Sequence, residues 1–205
     1  MAAPTVFIVD DDDAVRDALQ LLMESAGLRA EAYASGQAFL DAYRLDRAGC
    51  LVLDIRMPGL SGLELQEHLS AAGISLPVIM LTGHGDVPAA VRALKAGAVD
   101  FLEKPYDSDM LLERVQQAIT RDAQERRVSS LQAETTQRLE QLTPREREVM
   151  ELIVAGKANK VVAFELQISE RTVELHRARI MKKMGVRSLP ELMRLVLRSG
   201  ARANR

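Results

Sequence analysis

Two short apolar runs in this sequence end in carboxylates that could do chemistry. Residues 6–9 run into Asp10 and Asp11, and residues 50–53 run directly into Asp54. Such runs, bounded by turn residues, are typical of strands buried on both faces of a parallel sheet. In an open α/β sheet, the edge where the strands end carries the chemistry. Asp54 is therefore a candidate nucleophile, metal ligand or phosphate carrier, and capping a turn is the alternative for a lone aspartate.

The aspartates after the first run indicate a bound cation. Residues 10–13 are four adjacent carboxylates, which repel one another unless some of them bind a cation. Oxygen ligands at two strand ends suit a magnesium ion (Mg2+), which uses few carboxylates and keeps waters that a phosphate can replace. Asp12 or Asp13 could instead cap the helix that follows.

Two further strand ends complete the pattern. Residues 77–81 lead to Thr82, and residues 99–102 lead to Lys104. Parallel strands end at the same edge of a sheet, so we expect a hydroxyl and an ammonium to lie beside Asp54. A cation and Lys104 could then offset charge on a phosphoryl group while Asp54 attacks in line. Taken alone, Thr82 would more often cap a helix, and Lys104 would more often be a solvated surface lysine.

The elements that must position these groups alternate between strands and helices. Strands are expected near residues 5–9, 29–33, 50–54, 77–82 and 99–102, with helices between them and after them. This alternation predicts an α/β fold, a doubly wound five-stranded parallel sheet with helices on both faces.

Charge is unevenly divided along the 205 residues, although the net charge at pH 7 is only −2. Residues 1–105 hold fifteen acidic and eight basic side chains, whereas residues 143–205 hold seven and fourteen. An acidic half joined to a basic half predicts two domains, with nucleic acid as the partner of the basic one.

Composition also argues against some classes of protein. There is no run of ~20 apolar residues, so we expect no membrane span. The first residues lack the basic and apolar regions of a signal peptide. The one cysteine, Cys50, lies in an apolar run, which predicts a buried thiol and no internal disulfide. Together these features predict a cytoplasmic protein.

The segment between the two predicted domains has the composition of a helix. Residues 106–143 contain neither glycine nor proline, and the segment becomes polar after Thr120. We interpret residues 1–122 as the first domain, 123–141 as an exposed helical linker and 142–205 as the second domain. A dimeric coiled coil is the alternative for the linker, although few heptads support it.

The second domain shows helix signals and a basic helix. Thr143, Pro144 and Glu146 predict a capped helix start, and further helices are expected at 159–166, 170–184 and 188–197. Two short helices joined by a tight turn, the second of them basic, are typical of a helix-turn-helix. The prediction is an all-α, four-helix DNA-binding domain. A small bundle with an ordinary charged face is the alternative.

Residues 4–122 resemble the receiver domain of two-component response regulators. The resemblance is carried by VDD at 9–11, LDIRMPG at 53–59, LTG at 81–83 and FLEKP at 101–105. It implies a flavodoxin-like fold in which Asp54 accepts a phosphoryl group from a sensor histidine kinase. It also implies that Lys104 binds the phosphate and that Thr82 and Phe101 are switch residues. The implied Mg2+ ligands are Asp10, Asp11, Asp54 and the backbone carbonyl of Arg56.

The same resemblance implies two finer features of the receiver. The Lys104-Pro105 peptide bond would be cis, a form that is common only before proline. Arg56 and His84, each two residues past a functional residue, would tune the hydrolysis of the phosphoryl group.

Residues 143–200 resemble the LuxR-type DNA-binding domain. The resemblance is carried by LTPREREV at 142–149, GKANK at 156–160, SERTVELH at 169–176 and MKKM at 181–184. Receiver and LuxR-type domain together resemble the FixJ/NarL family, and GHGDVP at 83–88 resembles its FixJ branch most. That branch includes regulators of nitrogen fixation and of aromatic-compound catabolism. The motifs are shared by both kinds of regulator, so they leave the target genes open.

In this resemblance the helix at 170–184 enters the major groove of double-stranded DNA. Glu174, Leu175 and Ala178 share one helix face and are the candidates for base contacts. The other DNA-binding candidates, mostly for phosphates, are Lys160, Arg171, Thr172, His176, Arg177, Lys182 and Lys183. Many relatives carry lysine in place of Glu174, and glutamate cannot read guanine. Their base preference therefore cannot be transferred to this chain.

We therefore predict a DNA-binding response regulator and not an enzyme. Phosphorylation at Asp54 would produce a homodimer through a face that includes Val91 and Lys95. The dimer would bind promoter DNA and regulate transcription, with activation expected and RNA polymerase as a further partner. The rival from the enzyme class is a magnesium-dependent phosphatase, but such enzymes need a second aspartate where Arg56 stands. A receiver that serves only as a fixed dimerisation module is a third interpretation, against which the acid pair and Lys104 argue.

Overall fold

The computed structural model describes residues 3–45, 47–83 and 87–198. The chain divides into two compact units, Met1–Arg126 and Arg127–Arg205. The division falls within the segment that the sequence predicts to be a linker. His84, a predicted modulator of hydrolysis, lies outside the described residues. Within those residues, no helix is long and apolar enough to cross a membrane.

The first unit contains the predicted five-stranded parallel sheet. Its strands are β1 (Thr5–Val9), β2 (Arg29–Tyr33), β3 (Gly49–Asp54), β4 (Val78–Thr82) and β5 (Asp100–Glu103). They are ordered β2-β1-β3-β4-β5, and every neighbouring pair is parallel. Strands β1, β3 and β4 are buried along their whole length, because helices cover both faces of the sheet.

Among the described residues, four helices alternate with the strands and a fifth follows the last strand, as the sequence predicts. They are α1 (Asp13–Ser25), α2 (Gly36–Ala42), α3 (Gly62–Ala71), α4 (Val87–Lys95) and α5 (Ser108–Glu140). Asp12 caps α1, since its carboxylate accepts hydrogen bonds from the amides of Ala14 and Val15. The prediction that Asp12 or Asp13 caps this helix is therefore confirmed for Asp12.

Each face of the sheet supports its own apolar core. One cluster includes Phe7, Phe39 and Leu53, and the other includes Ile8, Val52 and Leu111. Alternate residues of a strand point to opposite faces, so β1 and β3 contribute to both clusters. Because β3 packs against both clusters, the position of its carboxyl end in the sheet is fixed. Asp54 is the last residue of that strand.

Helix α5 begins in the first unit and continues into the second. The predicted linker, residues 123–141, is helical to Glu140, which confirms its predicted secondary structure. Val128 and Leu131 are exposed on this helix. The coiled-coil alternative for this segment stays a prediction, since it needs a second chain.

The described part of the second unit, to residue 198, contains four further helices, as the sequence predicts. They are α6 (Pro144–Val154), α7 (Asn159–Leu166), α8 (Glu170–Met184) and α9 (Leu189–Arg198). Thr143 and Glu146 form the predicted capping box at the start of α6, with Pro144 in its first turn. Val149, Val162 and Val173, from α6, α7 and α8, meet in one apolar core.

Candidate functional site

The carboxyl ends of the strands bring three predicted side chains together. The ammonium of Lys104, one residue past β5, donates to Oδ2 of Asp10 at 2.8 Å and to Oδ1 of Asp54 at 2.6 Å. Asp10 follows β1 and Asp54 ends β3, and these strands are neighbours in the sheet. The Lys104-Pro105 peptide bond is cis, as expected. One ammonium thus bridges two carboxylates at this edge.

Backbone amides hold the second oxygen of each carboxylate. The Arg56 amide donates to Oδ2 of Asp54 at 2.6 Å, and the Asp12 amide donates to Oδ1 of Asp10 at 2.9 Å. Such donors fix the orientation of a carboxylate without adding a mobile side chain. Both carboxylates therefore have defined positions before any ligand binds.

Burial changes the acid–base properties of this site. Asp54 is only 7% exposed, and desolvation raises the pKa of its carboxyl although Lys104 opposes the shift. Burial alone would lower the pKa of Lys104, but its hydrogen bonds to Asp10 and Asp54 raise it. Lys104 is therefore charged at neutral pH and favours the ionised form of Asp54, which is the form that can act as a nucleophile.

The two predicted switch residues lie on the neighbouring strands β4 and β5. Thr82, the last residue of β4, is buried, and its hydroxyl donates to the carbonyl of Gly83 at 3.2 Å. Phe101 on the neighbouring strand β5 is 38% exposed, so its ring is not packed in the core. In this structure the hydroxyl is held by its own loop, and the aromatic ring faces outward.

The arrangement fits a magnesium ion only in part. Asp10 and Asp54 both pair with the ammonium of Lys104. Their carboxylate oxygens are the type of ligand that Mg2+ prefers. Asp11, the third predicted acidic ligand, is exposed. Across the described ranges, no three His, Cys, Asp or Glu side chains lie close enough together to hold a metal. The described site therefore offers two positioned carboxylates that could accept a cation in exchange with the ammonium.

Gly62 is a functional position that our reading of the sequence missed. A Cβ at Gly62 would lie 2.1 Å from the backbone oxygen of Asp54, so only glycine allows α3 to start this close to β3. The Gly62 amide donates to the carbonyl of Ile55 at 3.0 Å and ties the two segments together. The closeness of Gly62 to Asp54 is a tertiary property that local sequence does not show.

We expect Gly62→Ala to destabilise the receiver by about 3 kcal/mol and to slow phosphorylation, because the backbone of Asp54 must move. Gly36→Ala is the matched control, since Gly36 also begins a helix but a Cβ there meets only the flexible side chains of Leu60 and Leu65. Urea denaturation and the initial rate of phosphorylation measure the two effects. Equal stability and rate in both variants would contradict this role for Gly62.

The predicted dimer face is exposed on α4. Val91 is 45% exposed, and the neighbouring Leu94 and Lys95 are exposed as well. An apolar and cationic patch of this kind is available to a partner surface, and the role of Val91 and Lys95 in a dimer stays a prediction.

The predicted DNA contacts on α8 fall into an exposed group and a half-buried group. The buried residues of this helix are Val173, Ile180 and Met184, which face the core of the second unit. The predicted residues that are exposed are Arg171, Glu174, Leu175, Ala178 and Lys182, with Lys160 exposed on α7. Arg179 is also exposed on α8, and a helical-wheel reading could have added it. The exposed surface of α8 thus carries three cations, two glutamates and two apolar side chains, which are Arg171, Arg179, Lys182, Glu170, Glu174, Leu175 and Ala178.

The other four predicted DNA contacts on α8 are half-buried, and they are Thr172, His176, Arg177 and Lys183. Arg177 donates to Oδ1 of Asn159 at 3.0 Å, and the Thr172 hydroxyl lies 2.8 Å from the Ser169 hydroxyl. His176 is half-buried, and its Nδ1 has no hydrogen-bond partner in the described part of the chain.

Lys183 pairs with a carboxylate on α6. Its ammonium donates to Oε2 of Glu146 at 2.6 Å and to the carbonyl of Gln141 at 3.0 Å. The predicted phosphate contact of Lys183 stays a prediction, and in this structure its ammonium neutralises the buried carboxylate of Glu146. Helix spacing alone could not show that, since Glu146 lies on a different helix.

Comparison with known proteins identifies the class. Residues 6–116 match the response regulator receiver domain, and residues 140–196 match the bacterial regulatory proteins of the luxR family. The chain belongs to the family of two-component response regulators that join a receiver domain to a LuxR-type DNA-binding domain, as the sequence predicts. This is a family of transcriptional regulators and not of known enzymes, so the phosphatase interpretation has no support.

Particular relatives cover nearly the whole chain. The transcriptional regulatory protein FixJ of Azorhizobium caulinodans is 50% identical over 95% of this chain and 92% of its own length. The response regulator protein TodT of Pseudomonas putida is 42% identical over 96% of this chain and 86% of its own. The solved structure of the response regulator StyR matches with a TM-score of 0.89 and 46% identity, covering 96% and 99% of the two chains. Full-length FixJ from B. japonicum matches with a TM-score of 0.61 and 43% identity over 99% and 100%.

Proposed function

We propose that this response regulator accepts a phosphoryl group on Asp54 from a sensor histidine kinase and then binds promoter DNA as a dimer. The observation that carries the proposal is the ammonium of Lys104 bridging Asp10 and Asp54. A buried carboxylate that is oriented by a backbone amide and paired with a cation is equipped for nucleophilic attack on phosphorus. A cytoplasmic location and RNA polymerase as a further partner stay predictions, as does activation.

The receiver family implies a magnesium ion at this edge. Asp10, Asp11, Asp54 and the backbone carbonyl of Arg56 would hold it. When bound, it offsets negative charge on the oxygens of the phosphoryl group.

The chain's own residues would carry out the remaining work. Lys104 keeps Asp54 ionised before the reaction and can then move to an oxygen of the bound phosphoryl group. The Arg56 amide keeps the carboxylate oriented for in-line attack.

The signal would leave the site through Thr82 and Phe101. A phosphoryl oxygen on Asp54 offers the Thr82 hydroxyl a stronger acceptor than the Gly83 carbonyl, because the oxygen is charged. Movement of Thr82 would leave space into which the exposed Phe101 ring can turn. Burial of an aromatic ring is favourable, so both movements would stabilise the same phosphorylated state.

The change at β4 and β5 would reshape the α4 face and permit a dimer through Val91 and Lys95. We expect phosphorylation to shift the protein from monomer to dimer, and sedimentation velocity measures both populations. A shift from 1:99 to 99:1 needs about 5.5 kcal/mol of differential stabilisation. Val91→Asp should keep the phosphorylated protein monomeric, and Leu21→Asp, at an exposed leucine on α1, is the control. An unchanged monomer fraction after phosphorylation would rule out this dimer model.

For DNA, we propose that α8 enters the major groove with its exposed face toward the bases. Glu174, Leu175 and Ala178 would face base edges. The residues proposed to contact phosphates are Lys160, Arg171, Thr172, Arg177 and Lys182. Base contacts specify the sequence, whereas phosphate contacts hold the domain in register.

These two groups predict different mutant behaviour. Lys182→Ala should weaken binding to every DNA sequence and lower the salt slope by about 1, because one phosphate contact is lost. Glu174→Ala should instead change the preferred base at one position of each half-site, by roughly 1–3 kcal/mol. Binding-site selection with the wild type and both variants separates the effects. If Glu174→Ala selects the wild-type sequence, Glu174 does not read a base.

A further inference from the structure

The end of α5 contacts the C-terminal end of α8 inside the second unit. Nη1 of Arg138 donates to the carbonyl of Met184 at 2.8 Å, and its Nη2 pairs with Oε1 of Glu134 at 2.6 Å. The guanidinium lies over Gly185, where an added Cβ would be 2.9 Å from Nη1. The glycine that ends α8 therefore leaves room for the arginine. A cation at a helix C-terminus is also favoured by the helix dipole.

Lys183 makes the reciprocal contact, from α8 to the segment that follows α5. Its ammonium bonds both the Gln141 carbonyl and the carboxylate of Glu146. Glu146 is only 3% exposed, and it also accepts the amide of Thr143 at 2.9 Å. The hydrogen bond from Lys183 is the main cause that lowers the pKa of Glu146. Two cations, one on each segment, thus join the end of α5 to the end of α8.

Packing reinforces these polar contacts. Leu139 and Leu142 are buried in the same apolar core as Val173 and Ile180 of α8. Nη2 of Arg147 on α6 donates to the Leu139 carbonyl at 2.9 Å. The match to the luxR family begins only at residue 140, so Arg138 precedes the family's domain.

We propose that Arg138 and Lys183 are positioning residues for DNA binding, and that residues 134–141 belong to the DNA-binding apparatus. The proposal rests on the assignment of α8 as the recognition helix. A helix of fifteen residues is about 22 Å long, so a small tilt at its C-terminal end displaces the first turns that face the bases. Fixing Met184 and Lys183 to the end of α5 sets that tilt. Neither cation needs to touch DNA for this role.

Arg138→Met in the full-length protein tests the proposal. The measurement is the affinity for a selected DNA site and for unrelated DNA, each over a range of salt concentrations. We expect specific affinity to fall about tenfold, because a charged hydrogen bond is lost at the end of the helix. Affinity for unrelated DNA and the salt slope should stay unchanged. Arg138→Lys should restore part of the specific affinity, since it keeps a cation near the Met184 carbonyl.

The adjacent lysines of α8 form a matched pair for the same assay. Lys182→Ala should lower the salt slope by about 1. Lys183→Ala should lower specific affinity and leave the slope unchanged, because its ammonium lies on Glu146 and not on DNA. Circular dichroism gives the folded fraction of each variant, and Arg138→Met keeps the test valid if Lys183→Ala unfolds.

Three outcomes would overturn the proposal. A lower salt slope in Arg138→Met would make Arg138 a phosphate contact. An equal loss of specific and unrelated binding, in proportion to the unfolded fraction, would make its role only structural. Unchanged specific affinity in folded Arg138→Met would remove it from DNA binding. If Lys182→Ala binds like the wild type at every salt concentration, α8 is not the recognition helix, and the proposed function fails at that point whatever Arg138→Met shows.

Discussion

Replacement of Asp54 by asparagine should abolish phosphorylation and, with it, the phosphorylation-dependent gain in DNA binding. The amide oxygen of asparagine is a far weaker nucleophile than a carboxylate, so the phosphoryl group has no acceptor at this position. Asparagine also has only one acceptor oxygen, whereas Asp54 accepts from both Lys104 and the Arg56 amide. We expect no added phosphoryl mass after treatment with a small phosphodonor and Mg2+, and the wild type should gain one group.

DNA binding measures the consequence. Before phosphorylation, wild type and Asp54→Asn should bind a selected site with equal affinity. After treatment with the phosphodonor, only the wild type should bind more tightly. Asp41→Asn, at an exposed aspartate on α2, is the matched control and should behave like the wild type. A full phosphorylation-dependent gain in Asp54→Asn would remove Asp54 from the mechanism.

The second large effect is expected at Lys104. Lys104→Met removes the ammonium between Asp10 and Asp54, so two buried carboxylates lose their shared cation. Loss of a preorganised charge of this kind lowers a rate by about 10²–10³-fold. The pKa of Asp54 should rise further, because Lys104 now opposes the effect of burial. The rate of phosphorylation from a small phosphodonor should therefore fall, and should recover toward high pH as Asp54 ionises.

Lys104→Arg separates charge from geometry. It keeps a cation near both carboxylates but replaces a compact ammonium by a planar guanidinium. We expect a rate between those of the wild type and Lys104→Met, with little change in the pH dependence. A wild-type rate in Lys104→Met would contradict the role of the bridge.

Residue patterns predicted the sheet because its local and tertiary signals agree. The runs that lead to Asp10 and Asp54 are apolar along their whole length. A strand that is covered on both faces has this pattern, whereas a strand with one exposed face alternates apolar and polar residues. Once parallel strands are accepted, the meeting of Asp10, Asp54 and Lys104 follows from topology. The bounds of β4 and β5 shifted by about one residue, as is usual at element ends.

What the sequence did not show depends on contacts between distant segments. In the sequence, Gly62 has the pattern of an ordinary helix start. Its need to be glycine comes from the contact of α3 with the backbone of Asp54. Lys183 belongs to a basic helix, and that pattern gives no sign of its ion pair with Glu146 on α6. Arg138 lies in a polar stretch that gives no local sign of its contact with Met184. Each of these depends on packing, which spacing along one element cannot reveal.

The location of the phosphoryl group in the full-length protein tests the central claim most directly. The protein is treated with a small phosphodonor and Mg2+, reduced with borohydride and digested, and its peptides are sequenced by mass spectrometry. Borohydride converts an aspartyl phosphate to homoserine. We expect homoserine at position 54 and at no other aspartate, and none when Mg2+ is chelated. Homoserine at another aspartate, or a stable phosphate on a serine or threonine in place of it, would contradict the account.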